Sequence, residues 1–192
     1  MKAGLILAAG ESRRMGSPKA LLEFHGETFL DRLIGLFSRY CSPVIAVLGA
    51  HQETIRAGVR RAEETLLVEN PDYRLGQLTS MQCGLRAVPA NTEGVLFTLV
   101  DHPAVESATI AALLLDSGAL LRIPRYLGRR GHPIWFDGTL IPEFLQATGS
   151  AREVLSRHAD AIEYLDLNDP GIIADIDDPD AYRRLVGGSH PS

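Results

Sequence analysis

Short apolar segments alternate along this chain with longer amphipathic ones, and this alternation constrains the fold more than any other feature. Residues 4–8, 44–48 and 94–100 contain no charged side chain, as is typical of strands that are buried on both faces of a sheet. Segments of about ten residues with helical spacing separate the apolar ones. We therefore predict an α/β fold, with a Rossmann-like, three-layer α/β/α arrangement around a mainly parallel sheet.

Turn residues and spacing predict the other elements. Helices are predicted over residues 28–40, 52–62, 80–87, 107–115 and 179–185, and shorter strands over 66–68, 120–123, 162–165 and 172–174. Thr28 is a predicted helix cap, and Ser150 with Glu153 fits a capping box that opens one more short helix. We expect a single domain over residues 1–186 and a flexible tail over residues 187–192.

Composition narrows the possible partners and the compartment. The chain has 192 residues, of which 45% are hydrophobic, and its net charge of -5 argues against a general role in binding nucleic acid. Its two cysteines, Cys41 and Cys83, form no metal-binding or disulfide pattern and are expected to be reduced. The apolar run at the start is at the short limit for a signal peptide, and no segment approaches the roughly 20 apolar residues of a membrane span. We therefore predict a cytoplasmic protein without nucleic-acid or membrane partners.

The loop after the first predicted strand has the composition of a phosphate-binding loop. Residues 7–19 read LAAGESRRMGSPK, with two glycines that let the backbone approach a ligand and three basic side chains, Arg13, Arg14 and Lys19. Arginine can hold a phosphate through two hydrogen bonds, and lysine acts as a movable charge. The loop is neither a Walker A motif nor GxGxxG. A solvated basic turn is the alternative interpretation.

Carboxylates occur at two places where they could bind a metal ion. Asp101 directly follows the clearest predicted strand, over residues 94–100, so its side chain is expected in the crevice at the strand ends, next to the first loop. Mg²⁺ prefers one or two carboxylates together with phosphate oxygens. Asp175 and Asp177 share one face if their segment is extended. The alternatives are a turn at Asp101 and an acidic helix start near residue 178; His102 is interpreted as a turn residue.

Four segments together resemble one family, the MobA/MocA-like nucleotidyltransferases of molybdenum cofactor synthesis. Residues 7–19 match every specified position of the signature L-A-A-G-x-S-x-R-M-G-x-x-K, and residues 101–103 resemble the Asp-x-Pro metal motif. Residues 124–133 match the P-x-Y-x-G-R-R-G-H-P segment of the cytidylyltransferase branch, and residues 175–180 resemble the family's acidic ending. The resemblance runs to about residue 185. It implies the nucleotide-diphospho-sugar transferase type of fold.

The resemblance also implies a role for each matching residue. Residues of the first loop would bind the nucleotide: Leu7, Ala8, Ala9, Gly10, Ser12, Arg13, Gly16 and Lys19. Lys19, Arg14 and Asp101 would be catalytic, and Asp101 with Asp177 would hold Mg²⁺. The second substrate would contact residues that otherwise read as a helix start and an exposed basic turn: Ser80, Arg129, Arg130, Gly131 and His132.

The implied reaction is transfer of CMP from CTP to the terminal phosphate of the molybdopterin cofactor, with release of pyrophosphate. CTP is favoured because guanylyl relatives carry glycine where this chain has Ala9, whose methyl group could narrow the base pocket. A guanylyltransferase that uses GTP, a sugar- or polyol-phosphate nucleotidyltransferase and a non-catalytic carrier of the cofactor remain alternatives. A molybdoenzyme or its chaperone would be the protein partner.

Overall fold

The computed structural model describes residues 1–188, which contain ten strands and seven α-helices. The strands are β1 (Lys2–Ala8), β2 (Glu23–Phe24), β3 (Glu27–Thr28), β4 (Val44–Leu48), β5 (Leu66–Glu69), β6 (Gly94–Leu99), β7 (Leu121–Tyr126), β8 (Arg129–Arg130), β9 (Ile134–Asp137) and β10 (Ile162–Asp166). The helices are α1 (Phe29–Phe37), α2 (Gln52–Gly58), α3 (Gln77–Arg86), α4 (Ser107–Leu113), α5 (Ile141–Gln146), α6 (Ala151–Arg157) and α7 (Pro179–Gly187).

Strand order creates a crevice beside the central strand. The main sheet runs β10-β7-β9-β6-β1-β4-β5, with β8 paired to β7. β1 is parallel to both of its neighbours, with Ile6 opposite Ala46 of β4 and Thr98 of β6. The chain moves outward from β1 to β4 and β5 and then returns to β6 on the other side of β1. Ligands bind at such switch points, at the carboxyl ends of the strands.

Helices cover both faces of the sheet, which confirms the predicted three-layer α/β/α fold. Ile6 and Ala8 of β1 belong to a core that includes side chains of α1, α2 and α4. Leu5 and Leu7, on the opposite face of the same strand, belong to a second core with α3, α5 and α6. Successive side chains of a strand point to opposite faces, so a strand between two helix layers must be apolar throughout.

Two predicted elements differ in the structure because backbone geometry overrode the local pattern. α3 begins at Gln77 rather than at Ser80, since Gly76 with a φ of 120° turns the chain directly into the helix. The predicted strand over residues 172–174 is wrong. Asp169 accepts a hydrogen bond from the Gly171 amide at 2.8 Å and starts a 3-10 helix over residues 170–173 instead.

The basic segment after residue 120 is more ordered than predicted. β7 continues to Tyr126 and pairs with β8, and the turn between them has positive φ at Leu127 (48°) and Gly128 (78°). Much of the predicted loop over residues 125–133 is therefore a β-hairpin. The strand β9, which follows the hairpin, was not predicted from the sequence. β9 is antiparallel to β6 and β7.

Helix ends show which capping predictions hold. Thr28 Oγ1 accepts from the Asp31 amide at 3.0 Å, as predicted. α6 does begin after Ser150, but the capping box is absent from the described residues: the Glu153 amide donates to the Ser150 carbonyl at 3.1 Å rather than to its side chain. α1 and α2 end a turn earlier than predicted. The predicted tail overlaps the end of α7 at Gly187, and residues 189–192 lie outside the described part.

Candidate functional site

The loop after β1 is held in place by its own hydrogen bonds. Ser12 has a positive φ of 50°. Its carbonyl accepts from the Met15 amide and its Oγ from the Lys19 amide, both at 2.9 Å. At the base of the loop, the Ala50 amide donates to the Ala9 carbonyl at 3.1 Å, which ties the loop to the end of β4. These bonds fix the position from which the Lys19 side chain enters the crevice.

β6 brings a carboxylate to the same crevice. The Val100 amide donates to the Leu7 carbonyl at 3.0 Å, so pairing with β1 continues up to the residue before Asp101. The Asp101 side chain is 17% exposed and that of Lys19 is 13% exposed. Lys19 Nζ lies 3.4 Å from Asp101 Oδ2. The structure therefore brings together the loop cation and the strand-end carboxylate that the sequence singled out.

A buried aspartate holds the acidic C-terminal stretch against this strand end. Asp169 is 3% exposed, and its Oδ2 accepts from the Thr109 hydroxyl of α4 at 2.6 Å. Its Oδ1 accepts from the Gly171 amide, and beyond that 3-10 turn the Ile176 amide donates to the Asp101 carbonyl at 3.0 Å. The residues that follow are therefore aligned with the tip of β6.

Three carboxylates and two cations meet at the site. Asp101, Asp175 and Asp177 each offer an oxygen, and these oxygens all lie within 4.8 Å of one another. Lys19 donates to Asp177 Oδ1, and Arg14 Nη2 lies 3.0 Å from Asp177 Oδ2. Hard oxygen ligands at this spacing suit Mg²⁺ or another hard divalent cation. Asp175 was not among the predicted ligands, although its shared face with Asp177 was the signal that could have placed it there.

Burial and mutual repulsion raise the pKa values of two of these carboxylates, and the neighbouring cations lower the pKa of the third. Burial raises the pKa of Asp101, and the adjacent Lys19 opposes the shift. Burial and the charges of Asp101 and Asp177 raise the pKa of Asp175 to about 6. The hydrogen bond from Lys19, together with Arg14, lowers the pKa of Asp177. A site that repels its own negative charges in this way favours a bound cation.

The first loop and the carboxylates line a cavity of about 620 Å³, within the range of small-molecule sites. The predicted nucleotide-binding residues that line it are Leu7, Ala8, Ala9, Gly10, Ser12, Arg13 and Lys19. Gly16 lies in the loop but outside the described lining. Tyr73, Arg74 and Gln77 also line the cavity and were missed, because the turn-rich segment around them carries no pattern of its own. Arg74 lies 3.4 Å from Glu11 of the first loop.

The predicted residues for the second substrate separate into two groups. Ser80 lines the cavity, is 3% exposed and accepts from Asn70 Nδ2 at 2.9 Å. The residues 129–132 are absent from the described lining. The Arg130 guanidinium stacks on the Tyr164 ring at 4.8 Å. A role for residues 129–132 in binding substrate therefore stays a prediction.

Gly131 is instead explained by packing. A Cβ at this position would lie 2.3 Å from the Ile172 carbonyl oxygen, and the His132 amide donates to that same oxygen at 2.9 Å. The hairpin and the 3-10 turn therefore touch backbone to backbone. This contact supports the segment that carries Asp175 and Asp177.

No α-helix within residues 1–188 combines the length and the apolar character that crossing a membrane requires.

Comparisons with known proteins identify relatives that match over most of the chain. Residues 4–162 match the family described as MobA-like NTP transferase domain. The chain is 31% identical to nicotine blue oxidoreductase of Paenarthrobacter nicotinovorans over 95% of each protein. It is 30% identical to molybdenum cofactor cytidylyltransferase of Escherichia coli strain K12, over 93% of this chain and 92% of that protein.

A solved structure agrees over nearly the whole chain. Rv0371c of Mycobacterium tuberculosis H37Rv matches with a TM-score of 0.82 and 26% identity, over 97% of each chain. The same protein was also solved as a complex with manganese, with a TM-score of 0.75, 25% identity and coverage of 97% and 98%. The family match spans most of the chain, and the folds agree. This chain therefore belongs to the MobA-like NTP transferase family and is a nucleotidyltransferase of that family.

Proposed function

We propose that this protein transfers CMP from CTP to the terminal phosphate of the molybdopterin cofactor and releases pyrophosphate. The observation that carries the proposal is the meeting of Lys19 and Arg14 with Asp101 and Asp177 beside the cavity of the first loop. Relatives of nearly equal identity are named as a transferase and as an oxidoreductase. Paired cations and carboxylates match the needs of a metal-bound triphosphate, and this favours the transferase.

The reaction needs positioning and charge neutralisation more than acid–base chemistry. An oxygen of the acceptor phosphate attacks the α-phosphorus of CTP. The bond from that phosphorus to the bridging oxygen breaks, and pyrophosphate leaves with the electron pair. The acceptor oxygen is already anionic, so no proton is removed. Lys19 and Arg14 neutralise charge on the triphosphate, a contribution of about 10²–10³ in rate for one such group.

Magnesium is the metal we propose, with Asp101 and Asp177 as its ligands and Asp175 within reach of both. When bound, Mg²⁺ would neutralise the charge of the phosphate oxygens and help to align them. Asp101 and Asp177 would hold the ion close to Lys19. The manganese complex of Rv0371c supports a divalent cation in this family.

We assign the selection of cytosine to Ala9. This residue lines the cavity and is 6% exposed. A methyl group at this position takes up room that glycine would leave for a base. Ala9→Gly is expected to improve turnover with GTP relative to CTP by about tenfold, the effect of a small apolar group in a pocket.

The acceptor assignment depends on the cytidylyltransferase-like segment over residues 124–133 and on the Escherichia coli relative. We also propose that the enzyme is cytoplasmic and that it passes its product to a molybdoenzyme or to the chaperone of one.

The test is pyrophosphate release with each of the four nucleoside triphosphates, with and without molybdopterin cofactor. Release with CTP that requires the cofactor is expected. Release with GTP but not with CTP, or with sugar phosphates in place of the cofactor, would contradict the assigned substrates. If no combination releases pyrophosphate, the proposal that the protein is a catalyst is wrong. Asp177→Asn is expected to lower turnover by about 10². Its matched control is Asp180→Asn, which alters a carboxylate of the same stretch that pairs with Arg183 and should leave turnover unchanged.

A further inference from the structure

His102 occupies the interior of the protein, although its sequence context indicates a turn. The residue is 6% exposed and follows Asp101 at the tip of β6. Its backbone does form a turn, since the His102 amide donates to the Leu99 carbonyl at 3.3 Å. The side chain is directed inward and is absent from the described lining of the nucleotide cavity. Asp101 lines that cavity, whereas the His102 ring is buried beside it.

The two oxygens of Asp101 face different neighbours. Oδ2 lies 3.4 Å from Lys19 Nζ, on the side of the cavity. Oδ1 lies 3.7 Å from Nε2 of His102. A separation of 3.7 Å is too long for a hydrogen bond. Hydrogen bonds at such sites are often long before ligands bind and shorten in the complex.

Unpartnered polar atoms gather at this point. Asp101 Oδ1, His102 Nδ1 and His132 Nδ1 are three of the four buried side-chain polar atoms that have no hydrogen-bond partner within residues 1–188. Buried polar groups are nearly always paired, so such a cluster needs an explanation. An imidazole ring can donate from Nε2, so His102 can supply the donor that Asp101 Oδ1 lacks.

A second imidazole fixes the orientation of the first. The His102 and His132 ring centroids lie 4.9 Å apart with a tilt of 35°. The His132 ring also packs edge-on against Phe97 of β6, at 5.6 Å. His132 therefore contacts both the His102 ring and Phe97 of β6.

We propose that His102 is a positioning residue for the metal ligand Asp101: its Nε2–H holds Oδ1, so that Oδ2 stays directed at the cation. This inference deepens the proposed function and rests on the metal assignment in it. Partners of this kind orient the carboxylates and imidazoles that bind metals elsewhere, and losing one costs 10–100-fold in affinity or activity. His132 holds the ring of His102 from behind.

The test measures Mn²⁺ binding to the nucleotide-free protein by electron paramagnetic resonance, so it does not depend on the identity of either substrate. His102→Phe keeps a ring in the stack and removes the donor, and it is expected to weaken Mn²⁺ binding about tenfold without lowering Tm. His102→Gln keeps a donor and should restore affinity to within about threefold. His132→Phe is the matched control: it removes an imidazole from the same stack but leaves Nε2 of His102 in place, and it should change affinity less than threefold.

Two results would overturn the proposal. If His102→Phe binds Mn²⁺ as tightly as the wild type, the Nε2–H group of His102 does not act on Asp101. Equal losses in all three variants, with lower Tm, would show that the two rings only fill space. Failure of the nucleotide panel with normal Mn²⁺ binding would instead count against the assigned reaction and leave the role of His102 intact.

Discussion

Lys19 occupies the position between carboxylates that a divalent cation needs, so Lys19→Met should have opposite effects on metal binding and on catalysis. The ammonium contacts Asp177 and lies 3.4 Å from Asp101. A metal ion that binds both aspartates without nucleotide must first displace it. With nucleotide present, the triphosphate offers Lys19 new partners, and the competition disappears.

The geometry gives the size of the effect. Two unit charges 3.4 Å apart interact by about 5 kcal/mol at an effective dielectric constant of about 20. Desolvation of the mostly buried lysine, and screening at Asp177, which is 41% exposed, reduce this to a net of about 1.5–3 kcal/mol, typical of a charged hydrogen bond. Lys19→Met should therefore tighten Mn²⁺ binding to the free protein by roughly 10–100-fold. Turnover should fall by about 10²–10³.

The assay is a Mn²⁺ titration of the nucleotide-free protein, followed by pyrophosphate release with CTP and cofactor. Arg13→Met is the control, because it removes one positive charge from the same loop, where Arg13 pairs with Glu11 and not with the metal ligands. Its Mn²⁺ affinity should rise less than threefold. Unchanged or weaker Mn²⁺ binding in Lys19→Met would refute the argument that this ammonium competes with the metal.

Three further predictions concern the scaffold of the site. Gly131→Ala places a Cβ 2.3 Å from the Ile172 carbonyl oxygen and should cost about 1–3 kcal/mol in urea unfolding while weakening Mn²⁺ binding; wild-type values in both measurements would contradict the packing role. The pKa of His132 is about 3 in the folded protein and 6.5 as a free side chain, so stability is full above pH 6.5 and is lost as pH falls toward 3. Between pH 6.5 and pH 4.5, the free energy of unfolding of His132→Phe should fall by about 2–3 kcal/mol less than that of the wild type. Identical pH profiles would contradict this prediction. Thr28→Ala removes the cap of α1 and a donor to the buried Asp31, and should cost about 1–2 kcal/mol; an unchanged unfolding midpoint would show that the cap is dispensable.

The sequence predicted the parts of the fold that depend on local composition. β4, β6 and the part of β1 after Lys2 contain no charged side chain, as is typical of strands in a sheet covered on both faces, so their positions could be predicted directly. The bounds and types of elements were predicted less well where a single residue determines the backbone conformation. Gly76 starts α3 a turn early, and Asp169 bends residues 170–173 into a 3-10 turn where apolar residues had indicated a strand.

At the site, the loop and Asp101 could be identified because each follows a strand directly, and parallel strands end at the same edge. The face that Asp175 shares with Asp177 was a sequence signal for the third carboxylate, but two findings required the structure: the burial of His102 and the position of residues 129–132 outside the cavity lining. Each concerns which way a side chain points after the chain has left its strand. Local pattern carries no information on that direction.

By itself, the sequence determined the class of fold and the chemical character of the loop, because burial and charge are properties of the residues themselves. Only the tertiary structure decided that Lys19 lies within 3.4 Å of Asp101, 82 residues away, and in contact with Asp177. The physical reason is the order of the strands. The chain returns across β1 to form β6, and the buried Asp169 then holds the C-terminal stretch against the tip of β6, so groups that are distant along the chain meet at one edge of the sheet.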